Sequence, residues 1–357
     1  VNADAMLDNT TLDINGSATY TVSNLEANTD AAGTTGSVSL AFGDVTDNAA
    51  TITTGSGATT ISGSSSGDTL TTNATNLPQN TLLTLFGAAK QVVTNLIGNL
   101  TGSSLTGTLD VSTGDAADNG ISITTGTAAT SITGSASSDT INTDAAALAQ
   151  NTTLTLSGSS KEVVTNLVGD ISATALTGSL NVTTSDAADN GIGITTGSAA
   201  TTIVGSAATD TINTNAAALV QNTTLTLSGS SKEVVTNLVG DVSATALTGT
   251  LNITTADAAD NAISIATGSA ATTIAGTASS DTINTDAAAL AQNTTLTLSG
   301  NSKEVVTNLV GDINATGLSG TLTVTTGNAA DLSISISSGS GDTVSYTHLR
   351  AHETVLD

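Results

Sequence analysis

The sequence predicts an all-β chain folded as a right-handed parallel β-solenoid. Three observations predict it. The first is a 71-residue period: Asn151 to Asn190 returns at Asn222 to Asn261 with only four of forty positions changed. Those changes are Ile171/Val242, Ser179/Thr250, Val182/Ile253 and Ser185/Ala256, all between small or β-branched side chains. A fixed period of this kind marks an array rather than a single closed domain. The second is alternation of apolar and polar residues in short runs such as TLTLS, SLNVT and GIGIT. The third is the core supply. There is no Trp and no Cys, with one Met, two Phe and two Tyr, so Val, Ile, Leu and Ala must fill the interior. Thin aliphatic layers stacked coil on coil suit that supply, because neighbours bury the face that one coil cannot.

Roughly five copies fill the chain, at about 8–78, 79–149, 150–220, 221–291 and 292–344, as one array over 1–344 without linkers. Each copy offers six strand candidates. In the third they are Thr153–Ser157, Glu162–Leu167, Ser179–Thr183, Gly191–Thr195, Thr201–Val204 and Asp210–Thr214. Six strands per period predict three coils of about 24 residues, stacked at roughly 4.8 Å. DAAALAQN (Asp144 to Asn151) is the one helical-looking piece, with Asp144 as a cap. It is too short to stand alone as a helix, so it is expected to bulge outward. The only proline, Pro78, falls just outside a strand, where a missing donor is tolerated.

The formal charge is −25, from 30 acidic and 5 basic residues. Such a surface repels phosphate backbones and anionic headgroups, which argues against nucleic acid and membrane partners. No apolar run reaches the length of a membrane span. The four lysines, Lys90, Lys161, Lys232 and Lys303, recur once per period beside Gln91, Glu162, Glu233 and Glu304. They read as a charged exposed edge.

Gly205-Ser-Ala-Ala-Thr-Asp210-Thr-Ile212 recurs at Gly63–Leu70, Gly134–Ile141 and Gly276–Ile283. It resembles the glycine-rich calcium-binding nonapeptide of RTX (hemolysin-type) exoproteins. More widely the chain resembles Thr/Ser/Asp-rich repeat regions of giant bacterial secreted or surface proteins. That resemblance implies an extracellular or cell-surface setting.

The acid pairs Asp44/Asp47, Asp115/Asp118, Asp186/Asp189 and Asp257/Asp260, closing at Asn328/Asp331, form a second series beside Asn119, Asn190 and Asn261. Carboxylate and amide oxygens are the ligands calcium takes. An Asx-rich turn held by its own side chains is the plainer reading. Asp170, Asp241 and Asp312 read as solvated turn residues. The TxT pairs Thr153/Thr155, Thr224/Thr226 and Thr295/Thr297 resemble an ice-binding ladder, which would need TxT on nearly every coil of one face.

No nucleophile–base–orienter set can be assembled, since the chain lacks Cys and its only His are His348 and His352 in the tail. Residues 345–357 depart from the repeat and resemble a translated library adapter of metagenomic sequences. Acids that recur in register favour scaffold over enzyme. No catalytic, cofactor or metal residue is assigned, and calcium is the one ion the turns could engage. The expected function is a non-catalytic spacer or stalk within a longer extracellular bacterial repeat protein, monomeric as this fragment. The alternative is a multivalent adhesin or carbohydrate-binding segment that meets surface glycans or cell-envelope components through weak calcium sites in Asp-rich turns. A polysaccharide-active enzyme or an ice-binding protein ranks below both.

Overall fold

The computed structural model describes residues 1–7, 10–43, 49–115, 120–186, 191–257, 262–327, 334–341 and 343–345. The chain divides into two compact units, Val1–Ser185 and Asp186–Asp357. Each is an all-parallel β-solenoid, as the period and alternation predict. All regular elements among the described residues are strands, and they fall alternately into two sheets.

The second copy, inside the first unit, shows how the sequence builds a coil. Its strands are Leu82–Gly87, Lys90–Leu96, Asn99–Leu105, Leu109–Thr113, Gly120–Thr124, Thr130–Gly134 and Thr140–Asp144. Each pairs in parallel with the next strand but one: Asn99–Leu105 with Leu82–Gly87, Leu109–Thr113 with Lys90–Leu96. The fourth copy repeats the plan in the second unit, from Thr224–Gly229 to Thr282–Asp286. Inward side chains line up in rows. Thr72, Val93, Val111, Ile132 and Leu156 are register partners in the first unit. Thr214, Val235, Ile253, Ile274 and Leu298 are theirs in the second. All ten are buried, and burying each Val, Ile or Leu stabilises by roughly 1.5–3 kcal/mol before chain entropy is set against it.

Among the described residues the first four copies have seven strands each rather than the expected six. The additional one in the third copy is Asp170–Leu176. Two strands complete a coil, so 71 residues make three and a half coils, not three. Consecutive copies therefore enter the scaffold half a turn apart. Lys90 lies in one sheet of the first unit and Lys161 in the other; Lys232 and Lys303 divide likewise in the second. The expected single edge of lysines does not form. Every strand type must fit either sheet, which the narrow range of core side chains permits.

Corners are set by asparagine and glycine. Asn95, Asn166, Asn237 and Asn308 adopt φ of 54°, a left-handed conformation that asparagine tolerates better than most residues. Each sits in a bulge: Val164 opposes Val182, but Leu167 opposes Thr184, so one extra residue is absorbed there. The amide then bonds one coil back, Asn166 Nδ2 to Asp144 Oδ1 at 3.1 Å and Asn308 Nδ2 to Asp286 Oδ1 at 3.1 Å. Asp144 Oδ1 also accepts the Ala146 N–H at 3.2 Å. DAAALAQN is thus a corner and not an outward helix: Ala145 and Leu148 are buried in the core.

Candidate functional site

The glycine-rich echo is explained by packing. A Cβ on Gly205 would lie 1.7 Å from Ser231 Oγ, and one on Gly134 equally close to Ser160 Oγ at 1.7 Å. In the second copy a Cβ on Gly63 would meet Ala89 Cβ at 2.4 Å. The glycine leaves room for the corner of the following coil. Asp139, Asp210 and Asp281 are fully buried at the corner before the next strand. The Asp210 carbonyl accepts the Lys232 N–H at 3.0 Å, and its own N–H donates to Ala207 O at 3.2 Å. Ile212 points into the core. Among the described residues no three His, Cys, Asp or Glu side chains gather as a metal-binding group. Of the paired acids, Asp115, Asp186 and Asp257 are described. Asp44, Asp47, Asp118, Asp189, Asp260, Asn328 and Asp331, with Asn119, Asn190 and Asn261, lie outside the described residues, as do His348 and His352.

The Lys-Glu pair separates into two environments. Lys161, Lys232 and Lys303 are exposed, and Lys90 pairs with Asp110 at 2.9 Å. Glu162, Glu233 and Glu304 are fully buried, contrary to the exposed edge expected for them. Alternation explains the split, since neighbours in a strand face opposite sides. Glu162 stands between Ile141 and Leu180, Glu233 between Ile212 and Leu251, and Glu304 between Ile283 and Leu322. One carboxyl oxygen accepts from the serine two residues earlier: Ser160 Oγ to Glu162 Oε1 at 2.7 Å, Ser231 to Glu233 at 2.8 Å, Ser302 to Glu304 at 2.7 Å. The other oxygen, Oε2, has no hydrogen-bond partner in any of the three. Desolvation pushes Glu162 and Glu233 up to about 8 and Glu304 to about 7, against the smaller lowering by the serine hydroxyl. Burial thus favours the neutral form of these acids, whose side chains lie inside the core. The second copy has Gln91 there, equally buried, and Ala89 in place of the serine. The spacing Ser-x-Glu is visible in the sequence, but the adjacent lysine disguises which face the glutamate takes.

Asp170, Asp241 and Asp312 begin strands instead of lying in solvated turns. Asp241 Oδ1 accepts the Ser264 N–H at 2.8 Å, and Asp312 Oδ1 accepts the Ser335 N–H at 2.7 Å. Asn99 does the same for Ser122 at 2.9 Å, and Asn28 for Thr51 at 2.8 Å. The side chain stands in for a backbone carbonyl where the ladder thins to two pairs, Val242 with Ile265 and Ser243 with Ala266. The opening leaves a shallow recess of about 380 Å³ of mixed lining, with Asp241, Ser243, Asn284 and Asp286 beside Val242 and Ile265. Asp286 is already engaged, through Oδ1, by Ala288 N–H and Asn308 Nδ2 at 3.1 Å each.

The half-turn phasing also disperses the threonine pairs. Thr224/Thr226 and Thr295/Thr297 lie in opposite sheets of the second unit, so they do not build one flat TxT face. Among aromatic residues, Phe42 is buried and Tyr20 donates its hydroxyl to Asn15 O. Phe86 turns outward, 37% exposed, and Leu82 on the same strand is 41% exposed. No helix of the described residues is long and apolar enough to cross a membrane. Comparison with protein-family models, with curated proteins and with solved structures finds no match to this chain.

Proposed function

We propose that this chain is a non-catalytic structural spacer, a stalk segment within a secreted or surface protein on the outside of a bacterial cell. The observation that carries the reading is the interchangeability of copies. Strands of one sequence type serve in either sheet, so each copy can be added or removed without a new core. An acidic chain without cysteine suits a hydrated exterior. The buried glutamates, the corner aspartates and the glycines all have packing or hydrogen-bonding roles inside the scaffold, which supports a structural reading of them.

Removal of one whole copy tests this. Deleting Asn222 to Gln292 joins Gln221 to Asn293 in repeat register and takes out 71 residues. The strands that follow must then cross to the other sheet. The variant is expected to keep its β circular-dichroism spectrum and its cooperative melt. Within the second unit the stack should shorten by about 17 Å, three and a half coils at roughly 4.8 Å each, read as the distance between two spin labels placed in that unit on either side of the deletion. Unfolding of the variant, or an unchanged distance, would overturn the spacer reading.

A further inference from the structure

Leu82 and Phe86 face outward from the middle of one sheet of the first unit. Their strand lies between Thr59–Gly63 and Asn99–Leu105, with Phe86 in register with Ser62 and Ser104. Thr84 lies between Thr60 and Thr101, and Leu82 lies beside Asn99. The result is a patch with two apolar anchors set among hydroxyl and amide groups, beside a bulge between Thr101 and Ser104. Four residues of strand place the anchors about 13 Å apart. The fold does not require them: Thr153 and Ser157, Thr224 and Ser228, and Thr295 and Ser299 occupy the same places in later copies, on strands of the same kind.

Charge singles out the same face. From Val38–Phe42 to Gly120–Thr124, the five successive strands of this sheet turn outward only Ser, Thr, Asn, Gly, Ala, Leu and Phe. The opposite sheet carries the Lys90–Asp110 ion pair. An uncharged face on a chain of net charge −25 neither attracts nor repels a neutral ligand at contact, while the surrounding field disfavours an acidic one.

A pyranose ring presents an apolar C–H face rimmed by hydroxyl groups. An exposed aromatic ring ringed by Ser and Thr complements it, with stacking for the face and hydrogen bonds for the rim. We infer that the face centred on Leu82, Thr84 and Phe86 binds a neutral oligosaccharide, one sugar ring on Phe86 and a neighbouring ring toward Leu82. The 13 Å spacing, about four residues of strand, fits a short chain of sugars rather than one. The site goes beyond the spacer reading and stands apart from it, because its loss leaves the length of the scaffold unchanged.

The full chain, titrated calorimetrically with short neutral oligosaccharides of β-linked glucose, mannose and N-acetylglucosamine, is expected to bind at least one class. Leu82→Thr/Phe86→Ser installs the residues of the later copies and should keep the circular-dichroism spectrum. Its affinity should fall roughly tenfold or more, the scale for losing a central aromatic anchor. Phe86→Trp should retain binding and report it by fluorescence, since the chain has no other Trp. Failure of the wild type to bind any of the three classes overturns the inference. So does equal binding by the double variant, or sedimentation showing that the double substitution dissolves a wild-type dimer, which would make the patch a self-contact.

Discussion

Raising the pH from 5 to 8 is expected to lower the stability of the folded chain steeply, and replacing three glutamates by glutamine is expected to abolish most of that slope. Glu162, Glu233 and Glu304 hold their protons in the fold up to about 8, about 8 and about 7, against an ordinary value of 4.5. A carboxyl whose folded pKa is raised contributes stability that is complete below 4.5, where both states are protonated. Above 4.5 the unfolded chain releases the proton while the folded core keeps it, and stability declines until the folded pKa is passed. Between those limits each glutamate lowers stability by about 1.4 kcal/mol per pH unit. The groups around each glutamate leave its charge unrelieved. The adjacent Lys161, Lys232 and Lys303 are exposed on the opposite face. The corner residues Asp139, Asp210 and Asp281, just before the strand below, are acids themselves, and Leu180–Thr184, Leu251–Thr255 and Leu322–Thr326 above carry no charge. Thermal melts should move to lower temperature from pH 5 to pH 8 in the wild type and much less in Glu162→Gln/Glu233→Gln/Glu304→Gln. Gln91 is the natural precedent for the replacement. A wild-type melt that is flat across this window would show that the buried carboxyls are not protonated.

The solenoid was legible because its strands announce themselves by alternation and by a period no closed domain would need. The half coil was not. Asp170–Leu176 reads poorly as a strand: it begins with a turn-former, its second inward residue is only Ala173, and a one-residue bulge between Ser172 and Ala175 throws Leu176 off the alternation. Omitting that one strand turns three and a half coils into three and places every lysine on one edge. The burial of Glu162, Glu233 and Glu304 was hidden for a different reason. A Lys-Glu dipeptide looks exposed by composition, whereas strand geometry must bury one member when the other faces water. Asp241 and Asp312 were misread because a side chain replacing a ladder carbonyl depends on the next coil, 23 residues on. Phe86 differs again: its position was plain, but only the register shows that Ser62 and Ser104 flank it.

Gly158→Ala is expected to destabilise the first unit far more than Gly16→Ala, although the two glycines occupy the same place in their copies. Both have φ well into the positive region, +95° for Gly158 and +104° for Gly16, which L side chains rarely adopt. Each substitution therefore carries a backbone cost on the order of 1–3 kcal/mol. Only Gly158 adds a collision with main chain: its Cβ would lie 2.0 Å from the Gly134 carbonyl oxygen and 2.9 Å from the carbonyl carbon. That oxygen accepts the Ser159 N–H at 3.0 Å, and Gly158 O in turn accepts Thr177 N–H at 2.8 Å. Relieving the collision means parting two coils at a corner and weakening hydrogen bonds in both. At Gly16 the nearest atom to a Cβ is the Tyr20 hydroxyl oxygen, 3.3 Å away at the end of a side chain that can swing. The difference between the variants should be about 2 kcal/mol or more, the scale of backbone strain plus a disrupted buried bond. Urea denaturation followed by circular dichroism measures it as a shift in midpoint at constant slope. Equal midpoints for the two variants would mean that the coils part freely at this corner, and that the glycine answers to backbone conformation alone.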